Sequence, residues 1–207
     1  MSIPPQVVPT AEPPSKAACD ALVIGAFSSR SGVEPGAEGA GLDPPFLAEL
    51  AEALGAQGFK AQPGEVFVAP TFGRIGPAAI AVAGLGDKGS STGDAVRRAA
   101  GAAARKLAER PVIASVIHRQ TGKDFTAEAV EGFLLGGYRF GAYKSDSRTS
   151  TTQRILFFDS DRVTIARAVV AAQATILARD LVNEPPERLT PAILAERAQE
   201  IADVGGL

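Results

Sequence analysis

An α/β fold with a mixed, mostly parallel sheet is what the 207-residue sequence predicts. Two observations carry it. Short apolar runs that read as buried strands recur along the chain, at Ala21–Ile24, Ala78–Ala83, Pro111–Ile117 and Arg154–Phe158. Between them lie stretches with apolar residues at helical spacing, so strand and helix alternate. The all-apolar character of Ala78–Ala83 calls for cover on both faces of its sheet.

The elements follow in order. Residues 1–17 hold Pro4, Pro5, Pro9, Pro13 and Pro14 and read as a disordered N-terminus. Ala21-Leu22-Val23-Ile24 forms a strand closed by Gly25. Ser28–Gly41 reads as a Gly/Ser loop. Asp43 then caps a helix with Pro44 and Pro45 in its first turn and Phe46, Leu47, Leu50 and Leu54 at helical spacing. Gly58–Ala61 and Glu65–Ala69, split by Pro63-Gly64, predict a hairpin. After Ala78–Ala83, Gly84–Gly89 reads as a glycine loop. Ser91 and Asp94 have capping-box spacing, and the helix behind them carries Val96, Ala99, Ala100, Ala103 and Leu107 on one face.

Thr126 starts a further helix with Val130, Phe133, Leu134 and Tyr138 in its apolar stripe, and Gly141–Thr152 reads as a polar loop. Asp161 begins a long helix running to Val182. Its apolar sets (Ile165, Val169, Ala172, Ile176 and Ala166, Val170, Leu177, Leu181) cover much of its circumference. A helix apolar nearly all round is buried on more than one side, so this one reads as a connector between domains. Asn183-Glu184-Pro185-Pro186 breaks it. Thr190 and Pro191 start a last helix, with Leu194, Ala198 and Ile201 on its apolar face, ending at Gly205-Gly206. The domain reading is a disordered segment over 1–17, an α/β domain over 18–160, a connector helix over 161–182, and over 183–207 the start of a truncated C-terminal domain.

Composition narrows the function. Apolar residues make up 45% and charged residues 21% of the chain, the balance of a globular protein with a core. The 21 basic and 23 acidic side chains leave a net charge of −2, which argues against electrostatic holding of nucleic acid. One cysteine, Cys19, allows no internal disulfide. The N-terminus has no apolar signal core and no run approaches the ~20 residues that span a bilayer. The chain is expected to be cytoplasmic. One histidine, His118, rules out a zinc site of His/Cys type.

Four places in the sequence could carry chemistry. Gly84-Leu85-Gly86-Asp87-Lys88-Gly89 fits G-x-G-x-x-G after a strand and before a helix, the setting in which pyrophosphate meets a helix N-terminus. A dinucleotide site also needs an acid ending the next strand, and Ile117-His118-Arg119 offers none; a tight strand-to-helix turn explains the glycines equally. His118 could act as a general base, yet no nucleophile or orienting acid is placed beside it by the sequence. Arg97, Arg98, Arg105, Lys106 and Arg110 could touch phosphates or form the solvated face of a helix. Cys19 fits a small buried hydrophobe better than a nucleophile.

Ala178-Arg179-Asp180-Leu181-Val182-Asn183-Glu184-Pro185-Pro186, followed by Leu189-Thr190-Pro191, closely resembles the domain junction of the leucyl (cytosol) aminopeptidase family. Ala83-Gly84-Leu85-Gly86 leading into Arg97-Arg98-Ala99-Ala100-Gly101 resembles the family's glycine turn and the helix after it. Glu131–Phe140 with Tyr143-Lys144-Ser145 resembles its second helix and exit loop. These stretches run in family order through most of residues 80–195.

The resemblance implies a macro-domain-like N-terminal α/β domain joined to a C-terminal catalytic domain. It implies removal of N-terminal residues, often leucine, from peptides. Two divalent metals, manganese or zinc, would be held mainly by carboxylates and a lysine of that catalytic domain, and the whole would assemble as a homohexamer. The metal ligands and the catalytic lysine and arginine fall downstream of Leu207, so no catalytic, cofactor-binding or metal-binding residue is assigned within residues 1–207. The expected role of this chain is a non-catalytic domain, inactive alone, supporting assembly and shielding the active site. Two alternatives are an ADP-ribose or nucleotide binder using Gly84–Gly89, and a DNA-binding accessory domain.

Overall fold

The computed structural model describes residues 4–30, 32–37, 39–143 and 150–205. Lys144, Ser145 and Gly206, which figure in the sequence reading, lie outside them. Twelve elements follow in chain order: β1 (Gln6–Thr10), β2 (Ala21–Ser29), β3 (Gly32–Pro35), α1 (Pro44–Ala56), β4 (Val66–Pro70), β5 (Ala79–Asp87), α2 (Gly93–Lys106), β6 (Val112–Ser115), α3 (Thr126–Gly137), β7 (Arg154–Phe158), α4 (Arg162–Asn183) and α5 (Pro191–Gly205). Three short 3-10 turns lie between them, at Pro14–Lys16, Lys88–Ser90 and Ile117–Arg119.

The strands form one seven-stranded sheet in the order β1-β7-β6-β2-β5-β4, with β3 paired to β2 off that path. β1, β7, β6, β2 and β5 run parallel. β4 pairs antiparallel with β5, and β3 antiparallel with the end of β2. The sheet is mixed and mostly parallel, with helices on both faces. The alternating residues of β2 show how. Ala21, Val23 and Phe27 point to a core closed by α2, α3 and α4. Leu22, Ile24 and Ala26 point to a second core closed by α1 through Phe46, Leu50 and Leu54. Each fully buried Leu or Ile contributes about 1.5–3 kcal/mol by leaving water.

On the first face, α2 and α3 approach closely because glycines line their contact. A Cβ on Gly136 would overlap the backbone of Gly101, and one on Gly132 would collide with the carbonyl of Arg97. The alanines of α2 (Ala99, Ala100, Ala103) complete this small-residue surface, all of them buried.

Several expectations are corrected. The supposedly disordered N-terminus contains β1, paired from Gln6↔Arg154 to Thr10↔Phe158. It is an edge strand, and an edge tolerates the missing N–H of Pro9. Ser28–Gly41 is not all loop, since β2 runs to Ser29 and turns back as β3. The hairpin over 58–69 does not form; only Val66–Pro70 is a strand, and its partner is β5. Residues Gly84–Asp87 continue β5 rather than turning. Thr92, not Ser91, caps α2, accepting from the Ala95 N–H at 3.2 Å. β6 stops at Ser115, and His118 sits in the 3-10 turn after it.

The long helix α4 has its predicted cap, with the Asp161 carboxylate accepting from the Thr164 N–H at 2.8 Å. It is not buried all round. Ile165, Ala168 and Ala172 are covered, while Val163, Val170 and Val182 stand exposed.

Candidate functional site

Ligands of open parallel sheets bind outside the C-terminal strand ends, where the strand order reverses. Here β5 lies on one side of β2 and β6 on the other, so the reversal falls between β2 and β6. That crevice is filled. The Gln120 side chain enters it, accepting from the Gly25 N–H at 2.5 Å and donating from Nε2 to the Gly36 carbonyl at 2.7 Å. Gly36 in turn donates to the Gly25 carbonyl at 2.7 Å. A Cβ at Gly36 would lie 2.8 Å from the Gln120 amide, so a larger residue there would displace that side chain from the crevice. No motif or spacing points to Gln120, which acts across 95 residues from Gly25.

The glycine fingerprint has a different use from the one its pattern suggests. Gly84 donates to the Glu65 carbonyl at 3.0 Å and Gly86 to the Ala61 carbonyl at 2.8 Å. A Cβ on Gly84 would collide with the carbonyl of Gln62. The glycines let the Ala61–Glu65 turn lie against β5; they do not open a helix N-terminus toward a phosphate.

His118 is fully buried. Its Nε2 lies 3.0 Å from the Phe158 carbonyl and 2.9 Å from the Ser160 Oγ. A hydroxyl therefore does stand beside it, two residues past β7, which sequence spacing had not revealed. The Ser160 hydroxyl also donates to the Phe158 carbonyl at 3.1 Å. Nδ1 has no hydrogen-bond partner among the described residues. Burial lowers the imidazole pKa to about 4, against smaller opposing contributions from the Phe158 carbonyl and Asp124. The ring is a neutral wedge packed 5.2 Å from that of Phe157, with no acid orienting it as a base.

The basic residues of α2 divide. Arg97 is paired with Glu131 of α3 at 2.9 Å, and Arg98 lies 3.8 Å from Asp94. Arg105, Lys106 and Arg110 face solvent. Cys19 is half-buried, and burial beside Asp20 pushes its thiol up to about 11, the reverse of an activated nucleophile.

One place brings together separated stretches that the sequence singled out. At the end of α3 the Tyr138 hydroxyl donates to Asp180 Oδ1 on α4 at 2.7 Å. Arg179 sits 5.7 Å from the Tyr138 ring centroid and donates to the Leu135 carbonyl at 3.3 Å. Tyr143 hydrogen-bonds to Glu184, the residue that ends α4. Asn183 donates from Nδ2 to the Arg179 carbonyl at 2.7 Å. Burial first, then the Asp180 hydrogen bond, raises the Tyr138 pKa above its usual value. The exit of α3 and the end of α4 are thus tied together where the chain leaves the α/β body.

A family model described as the N-terminal domain of the cytosol aminopeptidase family matches residues 23–147. The chain belongs to that family. A probable cytosol aminopeptidase of Nocardia farcinica is 35% identical over 201 residues, covering 91% of this chain and 39% of the relative. Its counterpart in Mycobacterium ulcerans is 34% identical over 223 residues, covering 99% of this chain and 42% of the relative. This cytosol aminopeptidase family chain therefore spans about two fifths of the length of these curated relatives. Among solved structures, the bottromycin maturation enzyme BotP superposes with a TM-score of 0.73 at 30% identity, covering 92% of this chain and 38% of BotP. A mutant tomato leucine aminopeptidase gives 0.79 at 22% identity over 99% of this chain and 44% of its own, a likeness of fold.

The residues present do not fit the pair of metals that the family resemblance implies. Among the described residues no group of three or more His, Cys, Asp or Glu could hold a metal ion. No helix among them is long and apolar enough to cross a membrane.

Proposed function

We propose that this chain is the N-terminal, non-catalytic domain of a metal-dependent leucyl aminopeptidase, and that it supports assembly and shields the active site. The observation that carries this reading is the family match over residues 23–147, falling on a body whose strand-end crevice is closed by its own Gln120. In this reading the two divalent metals, manganese or zinc, belong to a catalytic domain outside this chain, where they would activate water and polarise the peptide carbonyl. No step of that chemistry falls to a side chain of residues 1–207. The tied ends of α3 and α4 give the catalytic domain a fixed point of departure. Cytoplasmic location and a homohexamer complete the proposal.

The test is hydrolysis of a leucine anilide with added Mn²⁺ or Zn²⁺. The 207-residue chain releases nothing, and a longer polypeptide carrying the catalytic domain releases the aniline. Metal-dependent release by the 207-residue chain itself overturns the assignment.

A further inference from the structure

We propose that the gap on the edge of β2 between β6 and β3 is a binding slot for one primary carboxamide, and that the Gln120 side chain is its built-in ligand. The inference concerns this slot alone and goes beyond the aminopeptidase reading, which stands or falls by the leucine anilide test.

The slot arises because one edge of β2 serves two strands. β6 pairs with Ala21–Val23 and then leaves, and β3 pairs with Ala26–Ser29. The backbone groups on that edge are claimed in turn. The Val23 carbonyl accepts from Val116 at 3.1 Å, and the Gly25 carbonyl accepts from Gly36 at 2.7 Å. Between those two bonds lies the Gly25 N–H, and its partner is a side chain, Gln120 Oε1. Gly25 is buried, and a buried N–H left unpaired is costly. The carboxamide stands where a peptide unit of either strand would have been, with Oε1 toward Gly25 and Nε2 toward the Gly36 carbonyl.

The slot fits a flat group. A Cβ on Gly36 would stand 2.8 Å from Cδ and from Nε2 and 2.9 Å from Oε1, so the amide lies face-on against that glycine. A Cβ on Gly25 would come within 3.1 Å of Oε1 and run into the Leu85 side chain. Two glycines and a leucine thus leave the thickness of one planar amide. Gln120 is 4% exposed, so water competes little for these bonds. The pair of partners also selects the chemistry. One asks for an acceptor and the other for a donor, which a primary amide supplies together. A carboxylate has no proton for the Gly36 carbonyl and would set two acceptors 2.7 Å apart.

The ligand is delivered by a turn. Among the described residues no backbone hydrogen bond joins Arg119–Asp124 to β2 or β3. The carboxamide can therefore be deleted without deleting a strand. Held by its own backbone, Gln120 fills the slot without the loss of translational freedom that a free amide meets. The crevice is closed for that reason, although its walls remain those of an amide site.

Gln120→Ala removes the methylene and the carboxamide, and acetamide restores the same atoms as a free molecule. The variant should melt roughly 5 °C below the parent protein. Acetamide up to about 1 M should raise its melting temperature by about 3 °C relative to the parent at the same concentration. The Gly25 amide resonance of the variant should shift saturably with acetamide and not with sodium acetate, and that of the parent should respond to neither. The proposal is overturned if acetamide leaves the Gly25 resonance of the variant unmoved, or if acetate acts as well. Gln120→Glu keeps the side-chain length and supplies a second test should the alanine variant not fold. At pH 7 its Gly25 amide should exchange at least tenfold faster than in the parent, whose Gln120 Nε2 protons should exchange slowly. Equal protection of Gly25 in the glutamate variant, or fast exchange of the Nε2 protons in the parent, also overturns it.

Discussion

The α2–α3 pair and the α4–α5 arm are both helical, yet they solve opposite problems. In the pair, Gly101, Gly132 and Gly136 remove side chains so that two backbones can touch, and Ala99, Ala100 and Ala103 beside them are buried. In the arm, apolar residues remain uncovered. Val170 is 66% exposed, Val182 84%, and Ile201 of α5 48%. Dense packing tolerates no added volume, whereas an uncovered apolar stripe is indifferent to change until something docks on it. The α/β body is finished by its own residues, and the arm holds its apolar surface outside it.

The sharpest way to break this contrast is at Gly136. Gly136→Val places methyl groups where the Gly101 backbone lies, so the helices must separate. We expect a loss of about 3 kcal/mol in urea unfolding. A loss below about 0.5 kcal/mol would mean that α2 and α3 are not in backbone contact.

The second prediction concerns the buried histidine behind the same sheet. The His118 pKa falls from 6.5 to about 4 on folding. The unfolded chain therefore binds more protons between those values, so stability is complete above pH 6.5 and falls as pH drops toward 4. The loss at pH 4.5 relative to pH 7 is on the order of 2 kcal/mol. Urea titrations at the two pH values measure it, and His118→Gln should flatten that part of the profile. An unchanged pH dependence in the variant would place the acid sensitivity elsewhere.

The contrast between body and arm was only partly legible in the sequence. Short apolar runs located β2, β5, β6 and β7 because strands buried on both faces leave an unbroken signature. β1 was missed because prolines at a sheet edge resemble those of a disordered tail. β4 is legible as a strand but its partner is not, since it pairs with β5 across a sequence gap in which no turn signal points to that partner. The α4 pattern reads as burial on more than one side, between two domains. Its apolar residues are real, but the body covers only the Ile165–Ala168–Ala172 stripe. Periodicity reports which faces are apolar and not what covers them. The closed crevice was invisible, because Gln120 reaches Gly25 and Gly36 through the tertiary fold alone. The junction was legible as a resembling string, but not its contacts. Nothing in the spacing of Tyr138 and Asp180 announces that they meet.

That meeting gives the third prediction, at the boundary between body and arm. Tyr138→Phe keeps the ring against Arg179 and removes only the hydroxyl donated to Asp180. The expected cost is about 1 kcal/mol. Amide exchange should speed selectively in the last turns of α4, leaving the sheet unaffected. Uniform acceleration across the molecule would show that the arm and the body unfold as one unit.

The smallest effect belongs to the arm itself. Val170 points away from the stripe that packs on the body, so Val170→Ser removes no buried contact. Its unfolding free energy in the 207-residue chain should stay within about 0.5 kcal/mol of the parent. The same substitution at a covered position of that helix behaves differently: Ile165→Ser empties a buried site and sets an unpartnered hydroxyl in it, costing about 3 kcal/mol. If Val170→Ser proved as costly as Ile165→Ser, the outer stripe of α4 would already be covered, by a second copy or by its own chain. The difference between the two substitutions is therefore a direct measure of how much of the arm is left open.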